Sequence, residues 1–144
     1  MSLKVELLER SFKQIGDRGL EFTAEFYANL FANYPEVQPL FQNTQLEAQG
    51  KKLFDSLVLV VDNLRQPEVL SQALKGLGTK HVNYGVLPEH YPMVGNSLLM
   101  TFASFLDSDW TPEVKAAWTE AYGAVTQLMW AGTDYPPEIL NCDR

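Results

Sequence analysis

Apolar residues in this chain return at steps of three or four almost from end to end, and prolines and glycines cut that rhythm into helix-sized pieces. Leu70, Leu74, Leu77, His81 and Tyr84 descend one such face, which is the spacing of a helix stripe and not the alternation of a strand. Pro35, Pro67, Pro88 and Pro112 each stand where a new segment opens, a position at which proline is tolerated because the missing N–H has no helical partner anyway. Gly16 and Gly132 stand where segments close. The pattern predicts a first helix from Val5 to Ile15 and a second over "GLEFTAEFYANLFANY", with Leu20, Ala24, Tyr27, Leu30, Phe31 and Tyr34 along its apolar side. A short helical turn, "PEVQPLF", follows. Next comes a long amphipathic helix within "NTQLEAQGKKLFDSLVLVVDNL", its stripe lettered by Leu46, Gln49, Leu53, Leu57, Val60 and Leu64. Pro67 opens the helix that carries His81, and Pro88 another through "LLMTFASFL". The last long helix has Thr111 as N-cap, Pro112 as first helical residue and Glu113 favoured by the helix dipole, and runs to Ala131. The chain therefore reads as all-α, with one domain over residues 1–132 and a non-helical tail over 133–144 that holds Pro136 and Pro137.

Three polar residues interrupt three apolar stripes: Tyr27 in the second helix, Gln49 in the long middle helix and His81 in the one after it. Each has an ordinary structural reading. A buried tyrosine tips its hydroxyl to a carbonyl, a glutamine near a helix start is a boundary residue, and a lone histidine is satisfied within the core. Together they also fit the lining of a pocket. Net charge of −7 opposes a phosphate-binding face, so nucleic acid is not an expected partner. No segment approaches the roughly 20 apolar residues that a membrane span needs, and the opening "MSLKVELLERSF" does not read as a signal peptide. Cys142 is the single cysteine, so an internal disulfide and a multi-cysteine zinc site are both excluded, and a reducing cytoplasmic setting is expected.

The second histidine, His90, does not complete a protein-only metal site. Zinc asks for about four ligands, and neither an HxxxH nor an ExxH spacing supplies them. A haem lowers the demand, because the porphyrin provides four nitrogens and one imidazole then suffices. No CxxCH segment is present, so such a haem would be held without covalent attachment, as haem b.

The segments "FYANLFANYPEVQPLF", "AQGKKL", "KHVNYGV", "HYPMVG" and "AAWTEAYG" occur in an order that resembles the bacterial single-domain globins, which are similar to the haem domain of flavohaemoglobins. The resemblance covers the chain from the first helix to about Ala131. It implies the globin fold, a three-on-three helical sandwich around a haem pocket. Residue by residue, it implies that His81 binds the iron and that Tyr27 and Gln49 stand on the distal face. It places Leu53 where an apolar side chain crowds the gas, Phe41 against the haem, and Tyr91 in contact with the proximal histidine. Val86 and Val94 fall in the segments that contact the cofactor. Lys52 and Lys80 flank the pocket as candidate partners of the haem propionates or as solvated lysines. The second nitrogen of His81 is expected to donate to a backbone carbonyl one turn earlier, near Leu77. In flavohaemoglobin-like domains a late glutamate joins the proximal tyrosine and histidine. This sequence reads "WAGTDY" there, with Asp134 as the nearest carboxylate and beyond Gly132.

The functional expectation is reversible binding of oxygen, or of nitric oxide or carbon monoxide, with Tyr27 and Gln49 donating to bound oxygen and slowing its release. The alternatives are a nitric oxide dioxygenase served by a separate reductase, since no flavin or nicotinamide segment is visible, and the gas-sensing module of a larger sensor. A monomer or a homodimer suits any of these. A helical interaction domain without cofactor is the remaining alternative.

Overall fold

The computed structural model describes residues 4–42, 44–83 and 89–131, leaving aside the side chains of Thr79 and of residues 81–83. The helices are α1 (Val5–Lys13), α2 (Gly19–Asn33), α3 (Leu46–Asp62), α4 (Pro67–Asn83), α5 (His90–Leu106) and α6 (Pro112–Ala131). Two 3₁₀ segments connect them, Pro35–Phe41 after α2 and Asp107–Asp109 after α5. Residues 84–88, with Pro88, and residues 132–144, with Gly132 and the tail, lie outside the described residues. The helix boundaries follow the expected punctuation. Pro67 is the first residue of α4, and the Thr111 hydroxyl accepts a hydrogen bond from the Val114 N–H at 3.2 Å, capping α6. Helix α1 ends two residues early, because the chain tightens into a turn at Ile15 and passes through Gly16 at φ +61°.

The apolar stripe of α2 differs from expectation. Leu20 is 57% exposed and Ala24 is exposed, while Phe22, Thr23, Phe26, Tyr27 and Leu30 are buried. Two helical stripes compete in this segment, and the one with two phenylalanines removes more apolar area from water, so the helix turns that way. Tyr27 and Leu30 belong to both stripes. Along α3 the expected stripe is fully buried only at Val60 and, beyond the helix, at Leu64. Leu53 and Leu57 are half-buried, and Leu46 is exposed.

Helix α2 packs along both α3 and α5, and α4 packs along α6. The core between them is aromatic. The Phe22 ring lies 4.9 Å from that of Phe102, which stacks on Trp118 at 4.3 Å. Trp118 Nε1 donates to the Ser11 hydroxyl at 2.8 Å, and that hydroxyl donates in turn to the Leu7 carbonyl at 2.7 Å, so the polar edge of the indole is satisfied inside the core. Asn29 likewise donates to Thr101 Oγ1 at 3.0 Å across the contact of α2 with α5. Among the described residues no helix is long and apolar enough to cross a membrane.

Candidate functional site

Helix α3 lies close against α2 at one point, and glycine makes that approach possible. A Cβ on Gly50 would sit 2.6 Å from Thr23 Oγ1, closer than real atoms come, and 3.7 Å from the Tyr27 ring. The first turn of α3, with Gln49 half-buried in it, is thereby held beside Tyr27. Tyr27 is 5% exposed, yet its hydroxyl has no hydrogen-bond partner among the described residues. Its ring is fixed instead by aromatic neighbours: Phe41 edge-on at 5.6 Å, Phe31 at 6.0 Å and Phe26 at 5.0 Å. Phe41 and Phe31 also meet each other at 5.4 Å. A cleft of about 430 Å³ opens beside this cluster, lined by Phe31, Pro35, Gln38, Phe41, Thr44 and Leu46 among others. Burial pushes the Tyr27 phenol from its ordinary value of 10.0 up to about 12, so at neutral pH it is a protonated donor.

A second group of aromatic residues gathers where α5 meets the end of α6. Tyr91, in the first turn of α5, is buried, and its ring meets that of Trp130 edge-on at 5.6 Å. The Tyr122 hydroxyl donates to the Tyr91 carbonyl at 2.6 Å, and burial raises the Tyr122 phenol well above the usual range. Val94, on the next turn of α5, is half-buried.

The structure thus brings Tyr27, Phe41 and the start of α3 together, with Leu53 half-buried one turn on from Gln49. Lys52 and Lys80 are exposed on α3 and α4. His81 lies in the last turn of α4. Its side chain, and with it the expected hydrogen bond to the Leu77 carbonyl, is outside the described residues, as are Val86 and Asp134. The sequence assigns no functional role to Trp130, Tyr122 or the cleft residues other than Phe41. Tyr122 stands within the quoted segment "AAWTEAYG", so a signal for it was present. The cleft residues come together only through the 3₁₀ turn, which no periodicity marks.

A buried neutral phenol with an uncommitted hydroxyl, phenylalanine edges beside it and a glycine that lets two helices close around it suit a flat apolar cofactor with a polar ligand above it. These features fit haem. The chain belongs to the globin family, whose pattern matches residues 24–129, and the family implies a haem cofactor. Similar proteins include a flavohaemoprotein of Deinococcus radiodurans, 38% identical over 77% of this chain and 28% of its own length. A flavohaemoprotein of Bacillus subtilis is 29% identical over 87% of this chain and 32% of its own. An uncharacterized globin-like protein of Aquifex aeolicus is 32% identical over 87% of this chain and 88% of its own. The chain therefore spans about a third or less of the two flavohaemoproteins and most of the Aquifex protein.

Proposed function

We propose that residues 1–132 bind one non-covalent haem b through His81 and hold oxygen, or another diatomic gas, reversibly in a cytoplasmic setting, with a separate reductase keeping the iron ferrous. His81 would hold the haem, which would supply ferrous iron able to bind a gas. The chain's own residues set how firmly the gas is kept. Tyr27 offers a neutral hydroxyl, bound to no acceptor among the described residues, where a gas with partial negative charge needs a donor. Its ring cannot swing away without disturbing Phe31 and Phe41. Gln49 adds an amide from the first turn of α3, and Leu53 limits the space. Phe41 and Val94 supply apolar surface for the porphyrin, and Val86 is assigned to the same surface. Tyr91 supports the proximal side, and Lys52 and Lys80 are the cations available to the propionates. The observation that carries this reading is the buried Tyr27 side chain, whose hydroxyl has no partner among the described residues, in a chain of a haem-binding family.

The test is His81→Ala purified with haem in excess. Loss of the Soret band and of the ferrous carbonyl spectrum is expected, with a pyridine extract of the parent giving the protohaem spectrum. Full haem content with an unchanged carbonyl spectrum in the variant overturns the assignment. Sustained nitric oxide consumption by the parent with an added reductase would move the reading from gas binding to dioxygenation.

A further inference from the structure

Helix α4 carries two glycines in its interior, Gly76 and Gly78, at positions where glycine is disfavoured relative to alanine. They sit in different surroundings. A Cβ on Gly76 would meet nothing within 4 Å, and nothing in the structure explains that glycine. Gly78 is buried against the main chain of α6. A Cβ there would overlap the Met129 carbonyl oxygen and lie 2.7 Å from the carbonyl carbon and 3.0 Å from the Met129 Cα. The obstacle is backbone, which cannot swing aside as a side-chain end can. Met129 lies within the last turn of α6, whose final four carbonyls have no partner further along the helix. A glycine Cα–H facing such a carbonyl is a recurring helix–helix contact.

We infer that Gly78 is a positioning residue for the proximal ligand: by seating α4 directly on the Met129 carbonyl, it sets where His81, three residues further along the same helix, stands relative to the haem. The same stretch of α6 places the Trp130 ring against Tyr91. One element therefore gives the reference position for both the helix of the histidine and Tyr91. A methyl group at residue 78 forces α4 away from α6, and the displacement falls within one turn of His81. This inference rests on the proposal that His81 binds the iron.

The test compares Gly78→Ala with Gly76→Ala in the haem-loaded protein, reading the iron–histidine stretch of the ferrous form and the rate of haem loss to an acceptor globin. Gly78→Ala is expected to shift the stretch and to speed haem loss about 5- to 150-fold, the range that overpacking by one methyl carries. Gly76→Ala is expected to leave both at the parent value. A Gly78→Ala protein that folds with an unchanged stretch overturns the inference, because a merely structural cost would lower stability without moving that band. If the variant does not fold, the parent decides. In its diamagnetic carbonyl form an NMR contact between the Gly78 and Met129 α-protons is expected, and its absence overturns the inference. Retention of haem by His81→Ala would instead overturn the haem assignment, an outcome neither glycine variant produces.

Discussion

Tyr27 is the residue whose surroundings make the sharpest demands. The residue is buried and its ring packs against Phe31 and Phe41, so Tyr27→Phe removes one donor and leaves the packing in place. A hydrogen bond to a partly charged acceptor is worth about 1.5–3 kcal/mol, so the oxygen off-rate should rise about 10- to 150-fold. Gln49→Leu should raise it less, because the amide stands half-exposed in the first turn of α3. Flash photolysis with oxygen replacement measures both, and an unchanged off-rate in Tyr27→Phe would return the hydroxyl to an ordinary structural role. Burial also makes Tyr27 a weaker acid, near 12 in the folded chain against its ordinary 10.0. The unfolded chain then loses that proton first as pH rises, so it binds fewer protons than the folded chain above about pH 10 and stability falls from there. Tyr122 acts in the same direction. Denaturant midpoints of the parent should therefore fall between about pH 10 and 12, and Tyr27→Phe should lose less over that interval.

Between elements, stability depends on a few polar ties and on how near the backbones come. The Ser11 hydroxyl joins α1 to α6 by accepting from Trp118 Nε1 while donating to the Leu7 carbonyl. Ser11→Ala would leave the indole N–H buried without an acceptor, and the expected loss is about 1–3 kcal/mol in equilibrium denaturation. Gly76→Ala, with open space around the new methyl, should gain up to about 1 kcal/mol from helix propensity. Periodicity revealed that α4 is a helix and that Leu70 and Leu74 face inward, because burial of a stripe leaves its period in the residues themselves. It could not reveal that Gly78 meets α6 and Gly76 meets nothing. Both are glycines on one helix, and the difference lies in a partner more than 40 residues away in the chain.

At the scale of the whole molecule, a cofactor held by the folded chain alone stabilises the fold by mass action. Free haem at about 100 times its dissociation constant adds about 2.7 kcal/mol. The melting temperature should therefore climb with haem concentration in the parent and much less in His81→Ala, which calorimetry on both proteins would show. The stretch of α3 from Gln49 to Leu57, with Gln49, Leu53 and Leu57 half-buried, and the cleft beside Phe41 are where added haem should slow hydrogen exchange most.

The amino-acid sequence alone determined that this chain is all-helical, where most helices begin and end, and that it carries the ordered segments of a globin. Those properties rest on local rules: proline and glycine act at their own positions, and a cap such as Thr111 acts within one turn. The sequence also marked Tyr27 as an interruption of an apolar stripe, and the resemblance added Phe41, which the structure places beside it. On α2 it pointed to the wrong one of two overlapping stripes, the one through Leu20 and Ala24, which are exposed. The stripe of Phe22 won because Phe102 and Phe54, from distant parts of the chain, offered that ring aromatic partners. Tertiary structure likewise decided that the Tyr27 hydroxyl has no partner among the described residues, that Gly50 lets α3 lie beside that ring and that Trp130 and Tyr122 converge on Tyr91. Each of these is a meeting of residues far apart in the chain, and only the packed helices decide which backbones approach.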